Sequence, residues 1–264
     1  MIAMTEPVIR RTEAVGELFA VAGTDYLLRS DAAPEESLAQ QGVAFIAPDG
    51  GFAFGGSADG PGLVDWLTVV GAPETARALL DHALAELPRT PHGFSVPRET
   101  DLGPLAAAEL EHWDFMAFDP AWGVELPALP GEERVAEMMP SAEADAEIGD
   151  FLKVANPSHS AKPGWEGIEA WGVVRDAEGA LLACGAYCRR EGGNGYLASI
   201  GTRPEARGQG LGAAVSAWLT RRSLANGDAF CALGHWHPNE PARRIYARLG
   251  FRTTHRMKSG RLPA

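Results

Sequence analysis

The chain has 264 residues, 45% hydrophobic and 22% charged, a balance that excludes disordered and fibrous classes and leaves room for one large domain or two small ones. No run approaches the ~18 apolar residues that span a bilayer, and charges stand near the N-terminus where a signal peptide needs an apolar core, so a cytoplasmic location without a membrane partner is expected. A net charge of −12 argues against a nucleic-acid partner, and three cysteines supply no disulfide framework.

The charge is unevenly placed. Through Val135 there are 7 arginines, no lysine and 22 acids, a balance of −15; from Ala136 onward 16 basic residues face 13 acidic ones, a balance of +3. A polyanionic small ligand would be repelled by the first half and tolerated by the second, so the chemistry is sought downstream.

In chain order, strand patterns at Val43–Ala47, Gly51–Phe54 and Leu63–Val70 precede a helix at Glu74–Leu87, a strand at Gly93–Val96, a helix at Leu102–Trp113 and a strand at Phe115–Phe118. Pro120–Glu133, rich in proline and glycine and without a period, reads as a connector, which divides the chain into residues 1–130 and 131–264. Beyond it the spacing predicts a strand at Arg134–Met139, a helix at Ser141–Ala155 capped by its serine, and a loop at Asn156–Gly167. A hairpin follows, Ala170–Arg175 and Ala180–Arg189 around the turn Asp176–Gly179, then a strand at Tyr196–Thr202. Leu211, Ala214, Val215, Trp218 and Leu219 share one helix face, and the helix stops near Asn226-Gly227. Ala229–Gly234 reads as a buried strand, Glu240–Leu249 as a helix and Phe251–Met257 as a last strand. The first half repeats this order in weaker form, which points to an internal duplication; such alternation also arises by chance in α/β domains.

The segment Thr202-Arg203-Pro204-Glu205-Ala206-Arg207-Gly208-Gln209-Gly210-Leu211-Gly212 joins a strand to a helix. Glycines at alternate positions let successive backbone N–H groups face one ligand, the helix N-terminus adds partial positive charge, and Arg207 adds a full one. Such a site suits a pyrophosphate. A P-loop is excluded, since no lysine occurs between Lys162 and Lys258. The dinucleotide fingerprint, matched in form by Gly208, Gly210 and Ala213, fits poorly because Arg203 to Gly208 intervene after the strand and the next strand ends in Gly234-His235 without an acid. Glycines that serve only close helix packing are a further alternative.

Arg207-Gly208-Gln209-Gly210-Leu211-Gly212 resembles the Arg/Gln-x-x-Gly-x-Gly/Ala motif of the GCN5-related N-acetyltransferases (GNAT). Asn239-Glu240-Pro241-Ala242-Arg243-Arg244-Ile245-Tyr246-Ala247-Arg248-Leu249-Gly250-Phe251 is similar to that family's Asn-x-x-Ala-x-x-x-Tyr-x-x-x-Gly-Phe block. The resemblance covers Arg134 to the C-terminus. The first half lacks both blocks: it reads Val70-Gly71-Ala72-Pro73-Glu74 after its third strand and His112-Trp113-Asp114-Phe115 where Gly-Phe would stand. The resemblance implies an α/β (α+β) protein of two GNAT-like domains, each a mixed, mostly antiparallel sheet flanked by helices, the first a degenerate copy without a coenzyme loop. Mycothiol synthases resemble this duplicated layout, but a layout does not carry a substrate over.

By similarity, acetyl-CoA would be the co-substrate, with no metal, and a small-molecule amine the acceptor; small amines, amino acids, antibiotics and a protein N-terminus are all open. The main chain of Ser199, Ile200, Gly201 and Thr202 would pair with the pantetheine arm. The amides of Arg207, Gly208, Gln209, Gly210, Leu211, Gly212 and Ala213 would hold the pyrophosphate. Asn239 would touch the coenzyme or cap a helix, and Tyr246 would protonate the departing thiolate or serve as a core aromatic. The base is unassigned among His159, Glu166, Glu169 and His235. Cys184, Cys188, Cys231, His235 and His237 could form a zinc site, though cysteines in apolar strand runs favour buried packing. Trp165, Trp171, Trp218 and Trp236 could line an acceptor pocket. A catalytically inactive CoA-binding regulatory module is the alternative to an enzyme, as a monomer or homodimer in either case.

Overall fold

The computed structural model describes residues 8–12, 14–32, 42–56, 63–107, 109–190 and 192–263, so the N-terminal residues 1–7 read for a leader lie outside it. The chain forms two compact units, Met1–Asp114 with His255–Ala264, and Phe115–Thr254. The Pro/Gly-rich connector thus falls inside the second unit rather than between units. Arg221 accounts for its order there: the guanidinium bonds Glu132 at 2.5 Å and the carbonyls of Leu126 and Pro127 at 3.2 and 2.8 Å, while Val124, Leu126 and Leu129 pack on the core.

In the first unit the strands run in the order β1 (Arg10–Thr12), β2 (Gly42–Ile46), β3 (Phe52–Gly56), β4 (Trp66–Val70), β5 (Gly93–Pro97) and β12 (Arg252–Arg261, of which His255 onward belongs here). Helices α1 (Val15–Ala22) and α2 (Tyr26–Asp31) lie between β1 and β2, and α3 (Pro73–Glu86) carries the chain from β4 to a parallel β5. The pairs β1/β2, β2/β3, β3/β4 and β5/β12 are antiparallel. Phe45, Leu67, Leu79, Leu80 and Phe94 form the fully buried core. At its margin the indoles of Trp66 and Trp113 donate to Ser95 and Ser259 at 2.8 and 2.7 Å, and the two hydroxyls bond each other at 2.8 Å.

The second unit orders its strands β6 (Leu110–Phe118, from Phe115), β11 (Cys231–Trp236), β10 (Gly195–Thr202), β9 (Leu181–Arg189), β8 (Ile168–Arg175) and β7 (Ala136–Met138). Helix α4 (Ala142–Ala155) links β7 to β8, α5 (Leu211–Ala225) crosses from β10 to a parallel β11, and α6 (Glu240–Arg248) precedes β12. Two antiparallel pairs followed by a parallel pair across a helix therefore occur in both units, β2-β3-β4-β5 and β8-β9-β10-β11. The fold is a mixed, mostly antiparallel α/β architecture flanked by helices, as expected. Among the described residues no helix is long and apolar enough to cross a membrane.

Helix α5 lies close to the sheet because Gly172 and Gly185 pair beneath it; a Cβ at Gly185 would stand 2.8 Å from Leu219 and 3.0 Å from Val215. Two of its buried hydroxyls are satisfied within the helix, Ser216 donating to the Gly212 carbonyl and Thr220 to that of Ser216, both at 2.7 Å.

The expected helix Leu102–Trp113 is not formed. Gly103–Ala107 is a 3-10 turn and Leu110 begins β6, where Arg98 holds the segment extended by bonding the Trp113 carbonyl at 3.0 Å and pairing with the buried Asp114. β12 continues past the expected Met257 to Arg261, a polar run made a strand by pairing with β5.

At the start of β10, Asp228 is buried and accepts from Tyr187 Oη and Ser223 Oγ, both at 2.7 Å, and from the Arg189 guanidinium at 2.9 Å. Asp228→Ala should lower the unfolding free energy by about 2–4 kcal/mol, since two buried hydroxyls lose their acceptor; urea denaturation of the variant beside wild type checks this.

Candidate functional site

β10 and β11 are paired only through Gly195–Cys231, Tyr196–Ala232 and Leu197–Leu233. Beyond Leu197 they part. At that point the register of β10 against β9 shifts between Ala198 and Gly201, a bulge that leaves Ser199 and Ile200 without β9 partners. Ser199 has φ +53°, alone among the described non-glycine residues in being positive. Its hydroxyl donates to the Ala161 carbonyl and accepts from the Ala161 N–H, each at 2.9 Å, while Asn156 Nδ2 donates to the Ile200 carbonyl at 3.1 Å. The loop 156–167 is thereby clamped to the bulge, and on the β11 side no strand takes the main chain of 198–202. Of the expected coenzyme-binding residues, Ser199 thus has its side chain engaged and Ile200 its carbonyl, whereas Gly201 and Thr202 pair with Cys184 and Ala183 on the β9 side.

Past Thr202 a 3-10 turn at Pro204–Ala206 is anchored by the buried Ala206, and Arg207, Gly208, Gln209 and Gly210 follow exposed. Gly208 and Gly210 have φ +79° and +80°, with open space where a Cβ would stand, so backbone conformation rather than crowding requires glycine. Gly210 is the N-cap of α5 and no side chain caps it. Helix geometry then leaves the N–H groups of Leu211, Gly212 and Ala213 without carbonyls to bond. The Leu211 side chain is buried in the core, so only its amide is available. Arg207 is held along the loop by long bonds to the carbonyls of Thr202 (3.3 Å) and Ala155 (3.5 Å).

Across the split, Asn239 caps α6, its Oδ1 accepting from the Ala242 N–H at 3.2 Å. Nearly two turns into that helix Tyr246 is buried, its ring centroid 6.0 Å from that of His235 and 6.1 Å from that of Phe251. Burial pushes the phenol well above its ordinary range, so it stays a neutral O–H donor. Its hydroxyl has no hydrogen-bond partner among the described residues. His235 is 6% exposed; its Nδ1 lies 3.0 Å from the Trp236 carbonyl and its Nε2 has no partner among the described residues.

Of the four base candidates, His235 is the one in ring contact with Tyr246. His159 has its Nδ1 2.9 Å from the Asn156 carbonyl, and Glu166 and Glu169 are exposed. The cysteines are core residues: Cys184 and Cys188 lie in one cluster and Cys231 in another, with burial pushing Cys188 and Cys231 up to about 12 and Cys184 higher still. Among the described residues no group of three His, Cys, Asp or Glu side chains is placed to hold a metal. Trp171 is fully buried and Trp218 packs on the core, while Trp236 and Trp165 are exposed. Trp165 lines an open cleft of about 440 Å³ with Ser160, Lys162, Pro163 and Gly164. Nothing in the sequence singles out Asn156, which reads as a helix end and does cap α4, its N–H bonding the Leu152 carbonyl.

Residues 170–259 match the family model described as FR47-like protein. No curated protein matches the chain. Among solved structures, an acetyltransferase from the GNAT family of Colwellia psychrerythraea aligns over 97% of this chain and 100% of its own at 16% identity and a TM-score of 0.52. A GCN5-related N-acetyltransferase from Kribbella flavida aligns over 93% and 95% at 20% identity and 0.50. A tandem GNAT protein from the clavulanic acid biosynthesis pathway aligns over 97% and 100% at 16% identity and 0.52. The chain shares the fold of the GNAT acetyltransferases and carries, over residues 170–259, an FR47-like domain of that type.

Proposed function

We propose that this chain is an acetyl-CoA-dependent N-acetyltransferase acting on the primary amine of a small molecule, with the coenzyme held by the second unit. The observation that carries the reading is the β10/β11 split running directly into a glycine loop and an uncapped helix end. An amide-bearing pantetheine arm fits the open main chain of Ser199–Thr202 as an added strand would. The pyrophosphate fits the amides of Arg207–Ala213, where the dipole of α5 and the Arg207 charge favour an anion. Asn239 spends its Oδ1 on the cap and keeps Nδ2 for a ligand.

In the transfer, the neutral amine attacks the thioester carbonyl carbon, a C–N bond forms, the C–S bond breaks and nitrogen gives up one proton. Tyr246, neutral and without an internal partner, is suited to give its proton to the departing thiolate. In a dry site that donation stabilises charge that develops only as the bond breaks.

The first unit fits a copy without a coenzyme site. The N-terminus of α3 opens on Pro73 after Gly71-Ala72 instead of a glycine loop, and the Asp49 carboxylate accepts from Thr75 Oγ1 in its first turn. That bond and the Gly51 N–H hold Asp49 below the usual carboxylate range, so a negative charge already faces the helix end.

Two results are expected. Calorimetric titration with acetyl-CoA should give one site per chain, abolished in Gly210→Glu, whose side chain adds strain, bulk and charge to the loop; a folded wild type that binds nothing would sink the assignment. Tyr246→Phe should lower kcat about 10²-fold while acetyl-CoA affinity stays within about twofold, read as thiol release with a panel of primary amines.

A further inference from the structure

The acetyltransferase reading leaves the amine's proton without an acceptor, and the described residues hold one group shaped for it. His235 stands two residues beyond the last paired position of β11, Leu233, and so within the split; by register count it is level with the bulged Ser199, since Leu197 pairs with Leu233. It is 94% buried, an inside position for a side chain on the parting end of a strand whose neighbours Gly234 and Trp236 are exposed. Its Nδ1 lies 3.0 Å from the Trp236 carbonyl. A carbonyl only accepts, so Nδ1 carries the hydrogen, and in the neutral ring the lone pair is on Nε2. That buried atom has no partner among the described residues. A buried acceptor left unmet costs about 1–3 kcal/mol, a cost that a ligand N–H would remove.

We propose that His235 is the catalytic base, taking at Nε2 the proton that the acceptor amine loses, an inference that rests on the acetyltransferase reading above. The amine nitrogen bonds the acetyl carbon, its proton passes to His235 Nε2, the C–S bond breaks, and the sulfur takes the Tyr246 proton. The products are the N-acetyl amine and the CoA thiol, with His235 left cationic and Tyr246 anionic. The two rings, 6.0 Å apart between centroids, then exchange that proton directly or through one water, which restores both residues with no net proton uptake. The tyrosine that serves the leaving group is thus recharged by the histidine that serves the nucleophile. The titratable group facing His235 from α6 is Tyr246, and Tyr196 of β10 acts on Tyr246 in turn.

The test uses full-length protein and two variants. His235→Asn keeps an amide N–H close to the Nδ1 position, and with it the bond to the Trp236 carbonyl, but removes Nε2. His235→Ala leaves a space that free imidazole can enter. Thiol release from acetyl-CoA is followed with water as the nucleophile, which needs the same proton acceptor, alongside calorimetric binding of acetyl-CoA. We expect both variants to bind within about twofold of wild type and to release thiol about 10²-fold more slowly. Imidazole, after subtraction of its uncatalysed reaction, should restore at least about tenfold of the rate in His235→Ala and nothing in His235→Asn. Wild-type rates in His235→Asn, a loss in His235→Ala that imidazole does not restore, or a wild type that binds acetyl-CoA but releases no thiol each overturn this inference while leaving coenzyme binding in place. A wild type that does not bind acetyl-CoA overturns both readings.

Discussion

The site depends on the bulge at Ser199-Ile200. Two parallel strands stay paired only while both keep a steady pleat, and an extra residue rotates the groups that follow it away from the ladder. β10 takes that rotation after Ala198, one residue past Leu197, where its pairing with β11 ends. A serine at φ +53° is a conformation of order 1 kcal/mol above its alternatives. The two hydrogen bonds between its hydroxyl and Ala161 offset that cost and fix the loop 156–167 at the same stroke. The strain therefore yields two things a ligand requires: main-chain groups without a neighbouring strand, and a loop held beside them.

The two units show how little separates an open helix end from one already occupied by side chains. Both place a helix between parallel strands after two antiparallel pairs. In the second unit the helix begins at Gly210 with no side chain over its amides and Arg207 nearby. In the first, Glu74 lies in the opening turn and Asp49 is bonded to Thr75. Since the dipole is the same in both, the surrounding side chains decide the sign of the field. The overall charge contrast between the halves, −15 against +3, is the coarse image of this local difference.

Much of this was legible in the sequence where the cause is local. The glycine loop, the face of α5, the Ser141 cap and the Asp176–Gly179 turn are set by backbone conformation, helical period and short-range hydrogen bonds, and each lies where the spacing put it. What was not legible is set by partners distant in sequence. Leucines at 102, 105 and 110 read as a helix, yet Arg98, Asp114 and Ser259 make Leu110–Phe118 a strand. Arg252–Arg261 is too polar to announce ten residues of strand. Within the site, the motif residues were visible but their rank was not: His235 looked no better than His159, Glu166 or Glu169 until burial and an unmet Nε2 set it apart.

The distribution of hydrogen bonds along β10 and α5 separates a closed end from an open one. At the closed end Gly195 starts β10 with no room for a side chain, a Cβ there meeting Ser223 Oγ at 1.9 Å and Asp228 Oδ2 at 2.6 Å. Asp228 ties together β9 through Tyr187 and Arg189 and the last turn of α5 through Ser223, and Asn226 adds a bond to the Tyr187 hydroxyl at 2.9 Å. The side-chain oxygens of Tyr187, Ser223 and Asp228 are all hydrogen-bonded there. At the other end of the same strand and helix lie the β10 segment 198–202 beyond its pairing with β11, the uncapped amides after Gly210, the buried Tyr246 and, without a partner among the described residues, His235 Nε2. Buried polar groups are normally satisfied, so the buried His235 Nε2, which has no partner among the described residues, stands apart from the bonded groups at the closed end. A fold that concentrates its rigidity at the closed end can leave the open end accessible without losing its shape, and in the proposed transfer the loop amides would hold the coenzyme while Tyr246 and His235 would serve as acid and base.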